Sequence, residues 1–212
     1  MVTSFWDWRT KCSLNQYFEN VNLPSKIVEY TTNVFGVNFY FKTDNGVFSK
    51  DKLDFGTRVL LESLPLSELS GDILDLGCGY GAVSIILSKM VHANFDAVDV
   101  NKRALHLLEM NKKRNLTFDV NAFESDIYQN VTKKYDYIIT NPPIRAGKKV
   151  IYDMLIGARC HLKDGGSLFF VMRKDQGAKS AMKDLEPFYK MDIVNKKNGF
   201  FVIRCNLDWQ LV

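Results

Sequence analysis

From Asp72 onward the apolar residues of this chain switch repeatedly between short continuous or alternating runs and a helical three-four repeat. Residues 72–77, 94–100, 117–123, 135–141 and 167–173 read as strands. Between them, residues 81–91, 102–114, 149–162 and 178–188 read as helices. "KDGG" (163–166) predicts a glycine stop for the third of these helices, and Pro187 a stop for the fourth. Two closing strands, 189–196 and 199–207, flank "KKNG", whose Asn-Gly pair suits a tight hairpin. Strands alternating with helices predict an α/β domain whose mainly parallel sheet is covered on both faces, and the closing hairpin requires one antiparallel strand.

Upstream the pattern is weaker. "VNFYFK" (37–42) alternates as a strand does, "TDNG" (43–46) reads as a hairpin turn, and "VFS" as the start of the returning strand. "LDFGTRVLLESLPL" (53–66) suits an amphipathic helix with Gly56 as its weak point. Residues 1–35 lack periodicity and predict an arm or short irregular elements. Residues 1–52 are therefore read as an arm with a β-hairpin extension, and 53–212 as the main domain.

Composition narrows the class. The chain has 212 residues, 46% hydrophobic and 25% charged, which is enough for one full core without covalent staples. Cys12, Cys78, Cys160 and Cys205 are scattered, and His92, His106 and His161 stand at no ligand spacing. They read as reduced thiols and ordinary histidines of a cytoplasmic protein, with no metal site. Neither a signal peptide nor an apolar run of about 18 residues is visible, so no membrane partner is expected. A net charge of +4 permits a polyanionic partner without requiring one.

"LDLGCGYGA" (74–82) follows a predicted strand and opens a helix. Gly77, Gly79 and Gly81 allow a tight turn and close approach of backbone to a ligand. Asp99 ends the next strand, placed to bind both ribose hydroxyls of an adenosine. Formally the loop also fits a dinucleotide fingerprint. Asp75, two residues before Gly77, argues against a pyrophosphate, which it would repel, and for a ligand with an amino group. S-adenosylmethionine has that amino group and no phosphate. Asp126, after the third strand, can accept from an adenine amino group or serve as a helix cap; Ile127 can pack on the purine face.

"TNPPIRAGKKV" (140–150) leaves the fourth strand through Asn141, Pro142 and Pro143. The rings stiffen the backbone and Pro142 lacks an N–H, so the Asn141 side-chain oxygen and the Pro142 carbonyl can both accept from a planar exocyclic amine. Holding both protons frees the nitrogen lone pair for in-line attack on a methyl sulfonium, with orientation in place of a strong base. Arg145, Lys148 and Lys149 follow at once, and Arg173 and Lys174 leave the fifth strand on the same edge, a group suited to phosphates. Lys112, Lys113, Lys133 and Lys134 read as solvated surface.

These motifs resemble the class I S-adenosylmethionine-dependent methyltransferases that carry the small methyltransferase domain. Within them the likeness is to bacterial small-subunit ribosomal RNA guanine-N2 methyltransferases, in a single-domain form. "DLGCGYG", "VDVN", "SDIY" and "TNPPIRAGKKV" carry it, with "DNGVFSKDKLDFGTRVLLESL" (44–64), "MRKDQGAKS" (172–180) and "KKNGFFVIR" (196–204). The resemblance implies a Rossmann-like fold with a seven-stranded, mostly parallel sheet, an antiparallel last strand and helices on both faces. It also implies S-adenosylmethionine as cofactor, Cys78 and Val100 beside it, and Phe48 and Thr57 over it. Asn141, Pro142, Pro143 and Ile144 become the catalytic segment; Ile144 stands where many amine methyltransferases place a stacking aromatic. The implied partner is ribosomal RNA or the small ribosomal subunit, and the protein a monomer or weak homodimer. Adenine N6 and the amide of a protein glutamine are planar nitrogens open to the same chemistry. An NAD-dependent oxidoreductase would leave Asp75 and Asn141-Pro142-Pro143 without roles, and a non-catalytic RNA-binding module would leave the cofactor loop without one.

Overall fold

The structure, a computed structural model, describes residues 24–207; residues 1–23 of the predicted arm lie outside the described residues. A two-stranded hairpin comes first, β1 (Val28–Val34) with β2 (Val37–Thr43). Helix α1 (Phe55–Ser63) leads into an alternating series: β3 (Gly71–Leu76), α2 (Ala82–Met90), β4 (Ala93–Asp99), α3 (Lys102–Asn115), β5 (Val120–Glu124) and β6 (Tyr135–Thr140). A short 3₁₀ turn at Ile144–Ala146 precedes α4 (Lys148–His161) and β7 (Leu162–Arg173). Helix α5 (Ala178–Leu185), β8 (Tyr189–Lys197) and β9 (Phe200–Leu207) complete the series.

The main sheet has seven strands in the order β5-β4-β3-β6-β7-β9-β8. β5, β4, β3, β6 and β7 are parallel, while β9 runs antiparallel to both β7 and β8. The pleat sorts side chains into two cores. Ile73, Ile139, Phe169 and Val171 face one side with Val59 and Leu60 of α1, Ile85 and Ile86 of α2 and Leu107 of α3. Leu74, Leu76, Ile138, Phe170 and Met172 face the other with Ile151, Met154 and Leu155 of α4 and Leu185 of α5. Buried on both faces, these strands read as nearly continuous apolar runs.

Three local expectations fail. The hairpin partner of β2 precedes it: β1 pairs from Val28↔Thr43 to Val34↔Val37, and 44–52 form no returning strand. The turn uses Phe35 and Gly36, both at positive φ (54° and 79°), as a two-residue hairpin loop requires. Asp44, Asn45 and Gly46 build a clasp instead. The buried Asp44 carboxylate accepts from Ser25 Oγ (2.7 Å) and the Asn45 N–H (2.7 Å). Arg103 donates to the Asn45 carbonyl (2.8 Å) and Asn101 to that of Gly46 (3.1 Å), fixing this loop on the turn between β4 and α3.

The second failure is the start of β5, at Val120 and not Thr117, because the αL cap at Leu116 is followed by a further turn. In the third, "KDGG" stops no helix: α4 ends in extended Leu162, and 163–166 are a bulged part of β7 between the Tyr135↔Leu162 and Tyr137↔Ser167 pairs. Gly166 is needed there because a Cβ would meet the carbonyl oxygens of Asp136, Lys163 and Tyr135 at 2.9–3.0 Å.

Helix α3 completes the hairpin's open edge with two asparagines. Asn111 accepts from the Lys42 N–H (2.7 Å) and donates to the Lys42 carbonyl (3.0 Å). Asn115 does the same for Tyr40 (3.0 and 2.7 Å). Four residues of helix and two of strand each advance about 6–7 Å, so the two amides stand in register with alternate strand residues.

Candidate active site

The parallel register brings the predicted residues to one edge of the sheet. Asp75 pairs with Ala97 on one side and Ile139 on the other. Two residues further on, Gly77 therefore stands level with Asp99 and Asn141, which are separated by two strand spacings, about 10 Å. Asp99 in turn pairs with Glu124, which sets Asp126 two residues beyond it. Chain direction across the sheet reverses between β3 and β6, the crevice in which open α/β sheets bind ligands.

The glycine loop is built by positive φ angles at Gly77 (73°), Gly79 (55°) and Gly81 (90°). At Gly81 a side chain is excluded twice, since a Cβ would also lie 2.7 Å from Leu108 Cγ. At Gly79 a Cβ would meet nothing within 4 Å, so the crevice is open there. The Asp99 carboxylate anchors the loop, accepting from the Gly79 N–H (2.8 Å) and the Asn101 N–H (2.8 Å). Burial raises its pKa, against the opposing effect of N–H donors from Asn101, Gly79 and Val100. Ser125 N donates to the Asp99 carbonyl (3.1 Å), which ties the Asp126–Ile127 turn to the same point. Ile127 has a φ of 52°, rare for a β-branched residue, and the Ser125 hydroxyl bonds its carbonyl (2.9 Å).

Asp75 is buried beneath the loop and accepts from the Ser84 N–H at 3.0 Å. Burial pushes its pKa up to about 7, partly opposed by the bonds from Ser84. A carboxyl whose folded pKa lies above its unfolded value of 3.8 keeps a proton in the fold that the unfolded chain has lost. Its contribution to stability therefore falls as pH rises from about 4 to about 7 and levels off above. Urea unfolding of the wild type and of Asp75→Asn across this range should show the difference in stability moving against the wild type with rising pH. A constant difference would mean that Asp75 titrates as an ordinary carboxyl. Cys78 is also buried, and its thiol is raised well above the usual range by burial and then by the charges of Asp75 and Asp99, so it is no nucleophile near neutral pH.

Asn141 leaves β6 pinned by its neighbour: the buried Thr140 hydroxyl donates to the Leu76 carbonyl (2.8 Å), tying the ends of β6 and β3 together. The Asn141 amide nitrogen donates to Thr57 Oγ1 (2.9 Å) and to Asp54 Oδ2 (3.1 Å). A carboxylate only accepts, so the NH₂ end of the amide must face Asp54, and Oδ1 is left on the other side. Thr57 thus reaches the site through Asn141. Asp54, which the sequence reading did not single out, is the N-cap of α1 and takes the Thr57 N–H (2.9 Å). Gly56 beside it leaves room for the Phe200 ring, whose Cε1 would stand 2.8 Å from a Cβ. After Asn141, Pro142 is buried, Pro143 accepts from the Ala146 N–H (2.9 Å), and Ile144 packs partly against the second core. Phe48, on the clasped loop, is 59% exposed.

Arg145, Lys148 and Lys149 follow the end of β6, and Arg173 and Lys174 stand at and just after the end of the adjacent β7. Their charge is partly offset: Lys148 pairs with Asp184 (3.3 Å), Lys149 with Asp153 (2.8 Å) and Arg173 with Asp175 (2.7 Å). Among the described residues no group of three or more His, Cys, Asp or Glu side chains could hold a metal ion, and no helix is long and apolar enough to cross a membrane.

With this arrangement in place, comparison with known proteins gives a family. The model of the methyltransferase small domain matches residues 38–204. The chain belongs to the methyltransferase small domain family. One relative, the uncharacterised protein YbxB of Bacillus subtilis (strain 168), is 38% identical over 91% of this chain and 98% of its own length. Ribosomal RNA small subunit methyltransferase C of Psychromonas ingrahamii is 29% identical over 91% of this chain and 55% of that protein. The T. thermophilus 16S rRNA N2 G1207 methyltransferase RsmC, solved with AdoMet and guanosine, superposes with a TM-score of 0.78 at 26% identity, covering 88% of this chain and 52% of that one. The chain thus spans about half the length of the small subunit methyltransferase C relatives. As a small methyltransferase domain its sheet, glycine loop and antiparallel β9 are the expected parts. The donor set fits S-adenosylmethionine: an open crevice over Gly79, a carboxylate at Asp99 able to accept from a ribose, and a buried carboxyl at Asp75 on which no cation among the described residues acts.

Proposed function

We propose that this chain is an S-adenosylmethionine-dependent methyltransferase acting on an exocyclic base amine of small-subunit ribosomal RNA, guanine N2 in the first instance. The observation that carries the reading is the locked Asn141 amide, whose NH₂ is spent on Asp54 and Thr57 while Oδ1 stays available. The guanosine in the T. thermophilus relative supports guanine as the base. The bound cofactor supplies an electrophilic methyl group on a sulfonium.

Everything else is the work of the chain's own residues. Asp99, already holding the Gly79 and Asn101 N–H groups, has acceptor capacity left for ribose hydroxyls. Gly77, Cys78, Gly79 and Gly81 bring backbone close to the cofactor, with Val100, Asp126 and Ile127 at the adenine end. Asp75 faces the amino group, and a cation arriving there would draw its raised pKa back down. Asn141 Oδ1 and the Pro142 carbonyl accept hydrogen bonds from the two amine N–H groups, which leaves the nitrogen lone pair free for the methyl carbon; the methyl–sulfur bond breaks as the carbon–nitrogen bond forms, and the surplus amine proton leaves to solvent. Pro143 and Ile144 shape the base's seat, and Phe48 lies over the cofactor. Arg145, Lys148, Lys149, Arg173 and Lys174 hold phosphates, exchanging their present carboxylate partners for them where they are paired.

The test offers labelled S-adenosylmethionine with naked ribosomal RNA, assembled small subunits and protein extract in parallel. Label recovered as N2-methylguanosine is the expected result. N6-methyladenosine would retain the amine grip and correct the base. Label found only in protein would overturn the RNA reading.

A further inference from the structure

We infer that Asp54 is a positioning residue for methyl transfer, acting through the Asn141 amide. This rests on the function proposed above, but the geometry behind it does not. One carboxylate oxygen, Asp54 Oδ2, takes the Thr57 N–H (2.9 Å), the Thr57 hydroxyl (3.4 Å) and the Asn141 NH₂ (3.1 Å). Thr57 Oγ1 takes the second proton of the same NH₂ (2.9 Å). Both rotational choices of the amide are thereby decided. An unheld asparagine can turn its NH₂ toward a substrate amine, which would set donor against donor. With Asp54 and Thr57 in place only the oxygen can face the base.

The pair is presented by rigid elements. Asp54 and Thr57 form the N-terminal cap of α1, whose Val59, Leu60 and Leu61 are fully buried against the sheet. Asn141 follows Thr140, which is bonded to Leu76. The contact therefore joins the start of α1 to the end of β6 across 87 residues of sequence. Asp54 itself touches neither amine nor methyl group, and its effect is on the fraction of molecules in which Asn141 is set to accept.

Substitutions can separate capping from positioning. Serine caps helices about as well as aspartate, but its hydroxyl is too short to serve Thr57 N–H and Asn141 together. Asp54→Ser should melt within a few degrees of wild type and bind S-adenosylhomocysteine normally, while its single-turnover rate drops about tenfold or more. Asp54→Asn keeps a carbonyl oxygen that can occupy the place of Oδ2, and should recover most of the rate. A second readout needs neither RNA nor cofactor: the side-chain ¹⁵N–¹H₂ signals of Asn141 should be slow to exchange with water in the wild type and in Asp54→Asn, and fast in Asp54→Ser. Exchange and rate both unchanged in Asp54→Ser would overturn the inference, as would a rate loss matched by weaker S-adenosylhomocysteine binding. If the wild type methylates no RNA, the proposed function fails while the exchange measurement still decides whether Asp54 sets the amide.

Discussion

Asn141→Ala should lower the single-turnover rate of methyl transfer by about 100-fold or more, while S-adenosylhomocysteine affinity stays within about twofold of wild type. Losing one preorganised hydrogen-bonding group at a reacting centre costs about that much when the group acts mainly in the transition state. In the proposed mechanism the amine nitrogen is a weak nucleophile because its lone pair is shared with the ring, and Oδ1 helps to hold its protons so that the pair can localise. Stability should fall by about 1 kcal/mol, since Asp54 retains the Thr57 N–H and only the amide bonds are lost. Asn141→Asp is a sharper probe. It nearly preserves volume but sets a carboxylate about 3 Å from Asp54 Oδ2, where two charges repel and one must take up a proton or swing away. It should therefore be no more active than the alanine variant near neutral pH. Rapid-quench assays on the RNA that the wild type modifies, with calorimetry on the cofactor product, provide the measurement. An Asn141→Ala enzyme that kept most of its rate would remove the amine grip from the mechanism.

What could be read in advance from the sequence divides by range. The strand–helix order from Asp72 to Leu207, the glycine loop, Asp99 and Asn141 are local signals, each contained in a few consecutive residues. β1 escaped notice although its burial alternates along Val28–Val34, because Tyr30 and Thr32 occupy inward positions and the turn uses Phe35 where Asn or Gly is usual. The Asn45-Gly46 pair gave a hairpin signal and serves a clasp. Which of two turn-like sequences becomes the hairpin is decided by packing: Val34, Phe39 and Phe41 reach the first core, where Phe41 meets Tyr80 edge-on at 5.6 Å. The glycines of "KDGG" carry a second ambiguity, since a helix stop and a bulge ask for the same residue, and only the nearness of three carbonyls at Gly166 tells them apart.

The site shows the same division. Asp54 is visible in the sequence as the first residue of an Asp-x-x-Thr cap, yet nothing in that stretch announces Asn141. In the basic group beside Asn141 the Lys149–Asp153 and Arg173–Asp175 pairs are local in the sequence, whereas Lys148 meets Asp184 only when the fold brings the two helices that carry them together. Contacts between segments far apart in the chain are products of the completed sheet, and single-sequence periodicity carries no record of them.

Asp99→Ala should weaken S-adenosylhomocysteine binding by about 1–3 kcal/mol, roughly 5- to 150-fold, through the loss of hydrogen bonds to a ribose by a charged acceptor. At saturating cofactor the methyl-transfer rate should stay close to wild type, because the proposed ribose contact is remote from the reacting atoms. The change also frees the Gly79 N–H, now held at 2.8 Å, so the loop gives up part of its preorganisation along with its ligand contact. Burial already penalises the Asp99 charge, which offsets some of that loss in the free protein. Asp99→Asn appeals as the milder substitution, but the geometry argues otherwise. Both oxygens already accept backbone N–H groups, from Gly79 and from Asn101, so whichever way an amide is turned its NH₂ faces a donor. Asparagine should accordingly bind cofactor no better than alanine does. Titration calorimetry of the two variants decides the point: an asparagine variant near wild-type affinity would show that the carboxylate's bonds to Gly79 and Asn101 do not shape the cofactor site.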